Sequence, residues 1–132
     1  MGLNIYLKDP TATYETDEYL CGVGGTTHNL TKMADEAEIY NALWRPYRLK
    51  EDYKPSDDYK VEMKFEDSVT IIAEELLEPL EKGLKELKDK PKHYKQFNAE
   101  NGWGLYENLV LFAEKYIKDI KTYPKAIIIV SR

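Results

Sequence analysis

The sequence holds a single cysteine, Cys21, so no disulfide can close within the chain, and a reducing compartment is expected. It has no apolar run of membrane-spanning length. The opening Met-Gly-Leu-Asn-Ile lacks the charged and apolar blocks of a secretory leader. Tyr6 stands where a myristoylation signal needs Ser or Thr. Excess positive charge is missing too, since 24 acidic residues against 19 Lys and Arg leave a net charge of −5. Wrapping a duplex needs a basic face that displaces counterions, so no nucleic-acid polymer is expected as partner. The Gly-x4-Gly-Lys-Ser/Thr spacing of a phosphate loop is absent. Cys21, His28 and His93 show none of the close spacings of a structural zinc site. The expectation is therefore a cytoplasmic protein with no metal, no cofactor and no membrane contact.

What is present suffices for one domain, because 132 residues bury about two-thirds of their unfolded surface. Leu3, Ile5 and Leu7 alternate with Asn4, Tyr6 and Lys8, which predicts a strand with one buried face. Tyr19-Leu20-Cys21 predicts a second strand, released at Gly22 and Gly24-Gly25. Leu30, Met33, Ala34, Ala37, Tyr40, Leu43 and Trp44 recur every three or four residues, predicting one half-buried helix that Pro46 stops. Residues 47–58 read as an exposed loop. Tyr59, Val61, Met63 and Phe65 then alternate strictly with charged residues, which predicts a strand.

Asp67-Ser68 resemble an N-cap for a helix whose stripe runs from Val69 through Leu87, kinked or broken at Pro79. A short helical piece is expected over 91–97. Leu105, Leu109, Phe112, Ala113, Tyr116 and Ile120 mark a last helix. Ala126-Ile127-Ile128-Ile129-Val130 is apolar on both faces and is expected in the middle of a sheet or covered on both sides. The fold class is α+β: a small, mainly antiparallel sheet packed by a single layer of three main helices. One domain spans 1–132, with an inserted loop and strand at 47–66.

Chemistry concentrates at the two ends of the first helix. Gly24-Gly25-Thr26-Thr27-His28-Asn29 offers backbone and side-chain donors where a helix N-terminus favours phosphate or carboxylate. Thr26, Thr27 and Asn29 also suit plain capping, which leaves His28 facing solvent. At the other end, an indole stacks on flat rings and an arginine fork grips anions, so Trp44-Arg45 is a second candidate. Its alternative is a core tryptophan beside a surface ion pair. Trp103, between Gly102 and Gly104 with Asn101 and Tyr106 as polar neighbours, is either a stacking face or a hydrophobic plug.

A continuous helix over 29–44 is ~22 Å long, so one small ligand would not touch both His28 and Trp44 within one subunit. Catalytic readings are thinner. Cys21 with His28 lacks a third group, and Glu107 near Trp103 lacks any support. Among 11 tyrosines, Tyr47, Tyr53 and Tyr59 lie in or beside the insertion, where they suit a partner surface or a lid.

The pattern Thr27-His28-Asn29-Leu30…Met33-Ala34, Leu43-Trp44-Arg45-Pro46 and Asn101-Gly102-Trp103-Gly104…Tyr106-Glu107 resembles a family of small accessory proteins of tailed phages and prophages. The likeness extends to the opening strand, Leu76-Leu77-Glu78-Pro79-Leu80 and Val130-Ser131-Arg132, and it leaves out 47–66. It implies an accessory protein acting inside an infected bacterium, where such genes serve host takeover or evasion of antiphage immunity.

Residues and resemblance together lead to a non-catalytic binder of a small anionic, nucleotide-like molecule. It would sequester an immune signal through Thr26, Thr27, His28, Asn29, Trp44, Arg45, Asn101, Trp103 and Tyr106, and a homo-oligomer would build its pocket. The alternative is an inhibitor of a host protein that uses an acidic, tyrosine-rich surface. A small nucleotide-processing enzyme comes third.

Overall fold

Alternation in the opening residues builds the middle strand of the sheet. In β1 (Gly2–Lys8) the side chains of Leu3, Ile5 and Leu7 are fully buried, while Asn4 is exposed. The computed structural model describes residues 2–11, 19–100, 102 and 104–132. Two antiparallel neighbours flank β1 in the order β2-β1-β3, with β2 covering Tyr19–Thr27 and β3 covering Ile127–Ser131. The chain is thus α+β, with a three-stranded antiparallel sheet and six α-helices among the described residues. No described helix is long and apolar enough to cross a membrane.

Two expectations about the sheet need correction. β2 does not end at the glycines; Gly24 and Gly25 lie inside it, opposite Ile5 and Asn4. A Cβ at Gly25 would lie 2.5 Å from Asn4 Oδ1, which can swing aside, and 3.0 Å from Leu3 O, a tight approach that glycine relieves. Of the two placements expected for β3, the middle of the sheet does not hold: it is an edge strand, with Ile128 buried and Ile127, Ile129 and Val130 half-buried. Its outer edge is covered without a further strand. Ile128 N donates to Ile71 O at 2.9 Å, and Ala73 N donates to Ala126 O at 2.8 Å. A short extended stretch therefore takes the place of a fourth strand.

The helix expected over 29–44 is broken. Thr27 accepts from Asn29 N at 3.2 Å and caps a 3-10 turn, His28–Leu30. Next come α1 (Thr31–Glu36) and α2 (Tyr40–Trp44), separated by Glu38 in the left-handed region at φ 58°. Neither Gly nor Pro marks this break. The turn delivers Ile39, fully buried, to Gly83, where a Cβ would lie 2.7 Å from Ile39 Cβ. Both pieces keep their apolar residues in the core, which is why the stripe reads as unbroken.

A 3-10 turn, Pro46–Leu49, follows α2, and residues 59–68 then form a helix, α3 (Tyr59–Ser68), not a strand. Asp58 caps it, accepting from Lys60 N at 2.9 Å. Asp67 and Ser68 end this helix instead of opening the next. Residues 69–72 are extended or bridged up to a 3-10 turn, Ala73–Leu76, and α4 spans Leu77–Asp89. Pro79 is the third residue of α4, where its missing N–H has no intrahelical acceptor to lose, so it needs no kink. α5 (Pro91–Lys95) is the expected short piece. α6 (Tyr106–Thr122) buries Tyr106, Leu109, Phe112, Ala113, Tyr116, Ile117 and Ile120, and it is the main packing helix.

Candidate functional site

Because the first helix folds back at Glu38, its two ends meet. Trp44 Nε1 donates to His28 Nδ1 at 2.8 Å, within one chain. The expectation that one ligand would need two subunits to reach both residues is overturned, since it assumed a straight helix. The bond also defines the imidazole. Nδ1 accepts, so a neutral ring carries its proton on Nε2 and offers a single outward donor.

Trp44 is 1% exposed and its indole stacks on Tyr40, ring centroids 5.5 Å apart and planes 10° apart. Both its faces and its N–H serve the fold, so stacking on a ligand is not open to it here. Thr26 lies in β2 opposite Leu3 and caps nothing, whereas Thr27 does cap. Asn29 is exposed, and a Cβ on Gly104 would stand 3.0 Å from its own Cβ. Gly104 therefore abuts the His28 end. Asn101 and Trp103 lie outside the described residues. Tyr106 is a structural anchor, not a polar edge for a ligand. Its hydroxyl donates to Leu87 O at 2.7 Å, and its backbone N–H donates to Asn98 Oδ1 at 2.7 Å.

Arg45 ends α2 half-buried, and Tyr phenols hold its guanidinium. Nε donates to Tyr40 Oη at 3.3 Å and Nη1 donates to Tyr47 Oη at 3.0 Å. Burial is the largest single influence and opposes the charge, but the contacts with Tyr40 and Tyr47 outweigh it and raise the pKa. The cation is secure. The sequence has three arginines. Arg48 pairs with Glu62 at 2.6 Å and Arg132 with Glu66 at 2.6 Å, while Arg45 has no carboxylate among the described residues.

Glu62 is the hub that composition and spacing did not reveal. Its Oε1 accepts from Tyr47 Oη at 2.6 Å, Arg48 Nε at 2.8 Å and Tyr53 Oη at 3.3 Å. The Tyr47 hydroxyl holds this carboxyl below its usual range; burial opposes that, and Arg48 and Arg45 reinforce it. Tyr47 is 1% exposed and belongs to the interior, while Tyr53 is half-buried with its hydroxyl turned onto Glu62. Of the insertion's three tyrosines Tyr59 is the outward one, at 66% exposure. A capping aspartate ahead of a Glu62/Glu66 pair four residues apart is the signal that would have found this cluster.

Catalytic alternatives lose ground on chemistry. Burial and then Asp119 push the Cys21 thiol up, the reverse of what a nucleophile needs. No cluster of three or more His, Cys, Asp or Glu able to hold a metal occurs among the described residues. Comparison of the chain with family models, curated proteins and solved structures gives no match.

Proposed function

We propose that this chain is a non-catalytic binding protein for a small anionic molecule, and that Arg45 is the anion's main contact. The observation that carries this reading is that Arg45 has no carboxylate partner among the described residues, where the other two arginines each have one. Tyr40 and Tyr47 hold Nε and Nη1 in place, and Nη2 has no partner among the described residues. An arginine fixed in this way presents a directed donor to phosphate or carboxylate at low ordering cost. His28, tied to the same helix end through Trp44 and Tyr40, adds its Nε2–H. In the phage setting that the resemblance implies, the ligand would be a nucleotide-derived signal, bound unchanged.

Native mass spectrometry of the purified protein, followed by denaturation and mass analysis of what is released, tests the reading. The expected result is an intact phosphate-bearing ligand whose retention falls at least ten-fold in Arg45→Gln. A ligand retained equally by that variant would contradict it. The reading as a host-protein inhibitor is weakened, because Tyr47 and Tyr53 are drawn inward onto Glu62.

A further inference from the structure

α3 meets the rest of the chain with the wrong side chains for an ordinary surface helix. None of its residues is buried, and Tyr59 and Val61 are 66% and 53% exposed. The side chains that reach inward include two carboxylates one helical turn apart. Glu62 is 13% exposed on Arg48, and Glu66 is 21% exposed on Arg132, which donates to the carboxylate in a two-pronged grip from Nη1 at 2.7 Å and Nη2 at 2.6 Å. In each of the other described ion pairs, at least one side chain is 43% exposed or more.

The arginines come from elsewhere in the chain and converge on the end of α2. Arg48 lies in the 3-10 turn after it, and Arg132 Nη1 also donates to Trp44 O at 2.8 Å. Tyr47 Oη joins Arg45 to Glu62. Two guanidinium groups thus grip two carboxylates, and Arg45 reaches Glu62 only through the Tyr47 hydroxyl.

We propose that α3 is an internal anionic plug: Glu62 and Glu66 occupy a site for a doubly anionic ligand formed by Arg48 and Arg132, and a phosphate chain takes that site by displacing α3. Side chains four residues apart on a helix face leave from Cβ atoms roughly 5–6 Å apart, on the order of the spacing of phosphoryl groups along a triphosphate chain. α3 is suited to leaving because its apolar hold is slight: none of its side chains is fully buried, and Phe65, half-buried, packs on the rings of Tyr47 and Tyr53. The choice of a phosphate ligand rests on the anion-binding reading above, whereas displacement rests on Glu62 and Glu66.

The test titrates inorganic tripolyphosphate, and separately orthophosphate, into wild type and Glu62→Gln/Glu66→Gln by calorimetry, with amide exchange read over Tyr59–Ser68. The expected result is at least ten-fold tighter tripolyphosphate binding in the double variant, and faster α3 exchange when tripolyphosphate binds wild type. Equal or weaker binding in the double variant, or wild-type binding that leaves α3 exchange unchanged, overturns the plug. Preserved α6 exchange shows that the double variant is folded; if it is not, Glu66→Gln alone carries the same comparison.

Arg45→Gln separates the two proposals. If it abolishes orthophosphate binding while the double variant gains nothing, the Arg45 reading stands and the plug falls. If the double variant's gain survives Arg45→Gln, the plug stands without Arg45 as the main contact.

Discussion

α3 and α6 are both surface helices, and they are held by opposite means. α6 lays seven buried residues from Tyr106 to Ile120 along the core. α3 fully buries none and is tied down by Glu62 and Glu66, with half-buried Phe65 packed on Tyr47 and Tyr53. Apolar burial contributes about 25 cal/mol per Å² and needs no particular partner geometry. A part-exposed ion pair nets far less, because desolvation and side-chain ordering offset the attraction. The difference suggests a division of labour: α6 sets global stability, while α3 sets local opening near Arg45.

The largest effect should come from truncating the α6 face. Ile120→Ala, at a fully buried position, is expected to cost about 2–5 kcal/mol in denaturant unfolding. Smaller and local is Glu62→Gln, which weakens the acceptor of Tyr47 and Arg48. It should ease opening of α3 by about 1–3 kcal/mol in amide exchange, with α6 protection little changed.

Acid should act in the same direction. The Glu62 pKa is lowered on folding, so its contribution is fully present above the ordinary glutamate range, about pH 4.3, and is lost as pH falls through the folded value. The free energy of α3 opening, corrected for the intrinsic exchange rate, should therefore fall below about pH 4 in wild type, and this fall should be blunted in Glu62→Gln. The smallest change is Tyr53→Phe, which removes the longest bond to Glu62, 3.3 Å, and is expected to cost about 0.5–1 kcal/mol by the same readout.

The comparison also explains what the sequence disclosed. α6 and β1 are legible because their buried positions are apolar and follow the period of their element. α3 reads as a strand because Tyr59, Val61, Met63 and Phe65 alternate with charges, and hydrophobicity is the wrong guide where glutamates face inward. The break at Glu38 is hidden for a different reason. A non-glycine residue takes the left-handed turn so that Ile39 can reach Gly83, and no local signal marks such a contact 44 positions along the chain.

The candidate site suffers from the same gap. Arg45 and His28 could be picked out by residue type, but the fold-back that brings Trp44 to His28 is a tertiary event. Trp44 and Tyr106, chosen as ligand contacts, are taken up by core packing and by the bond to Leu87 O. β3 reads as central because it is apolar on both sides. The bonds from 71–73 that cover its edge involve backbone alone and leave no side-chain pattern.

The most direct test of the central claim is native-state amide exchange on the unmodified protein, comparing Tyr59–Ser68 with Tyr106–Thr122 in one sample. An electrostatically latched α3 predicts opening of that helix at a free energy well below global unfolding, with α6 exchanging only through global unfolding. Equal protection of the two helices would contradict it, making α3 an ordinary part of the core and its glutamates mere surface partners.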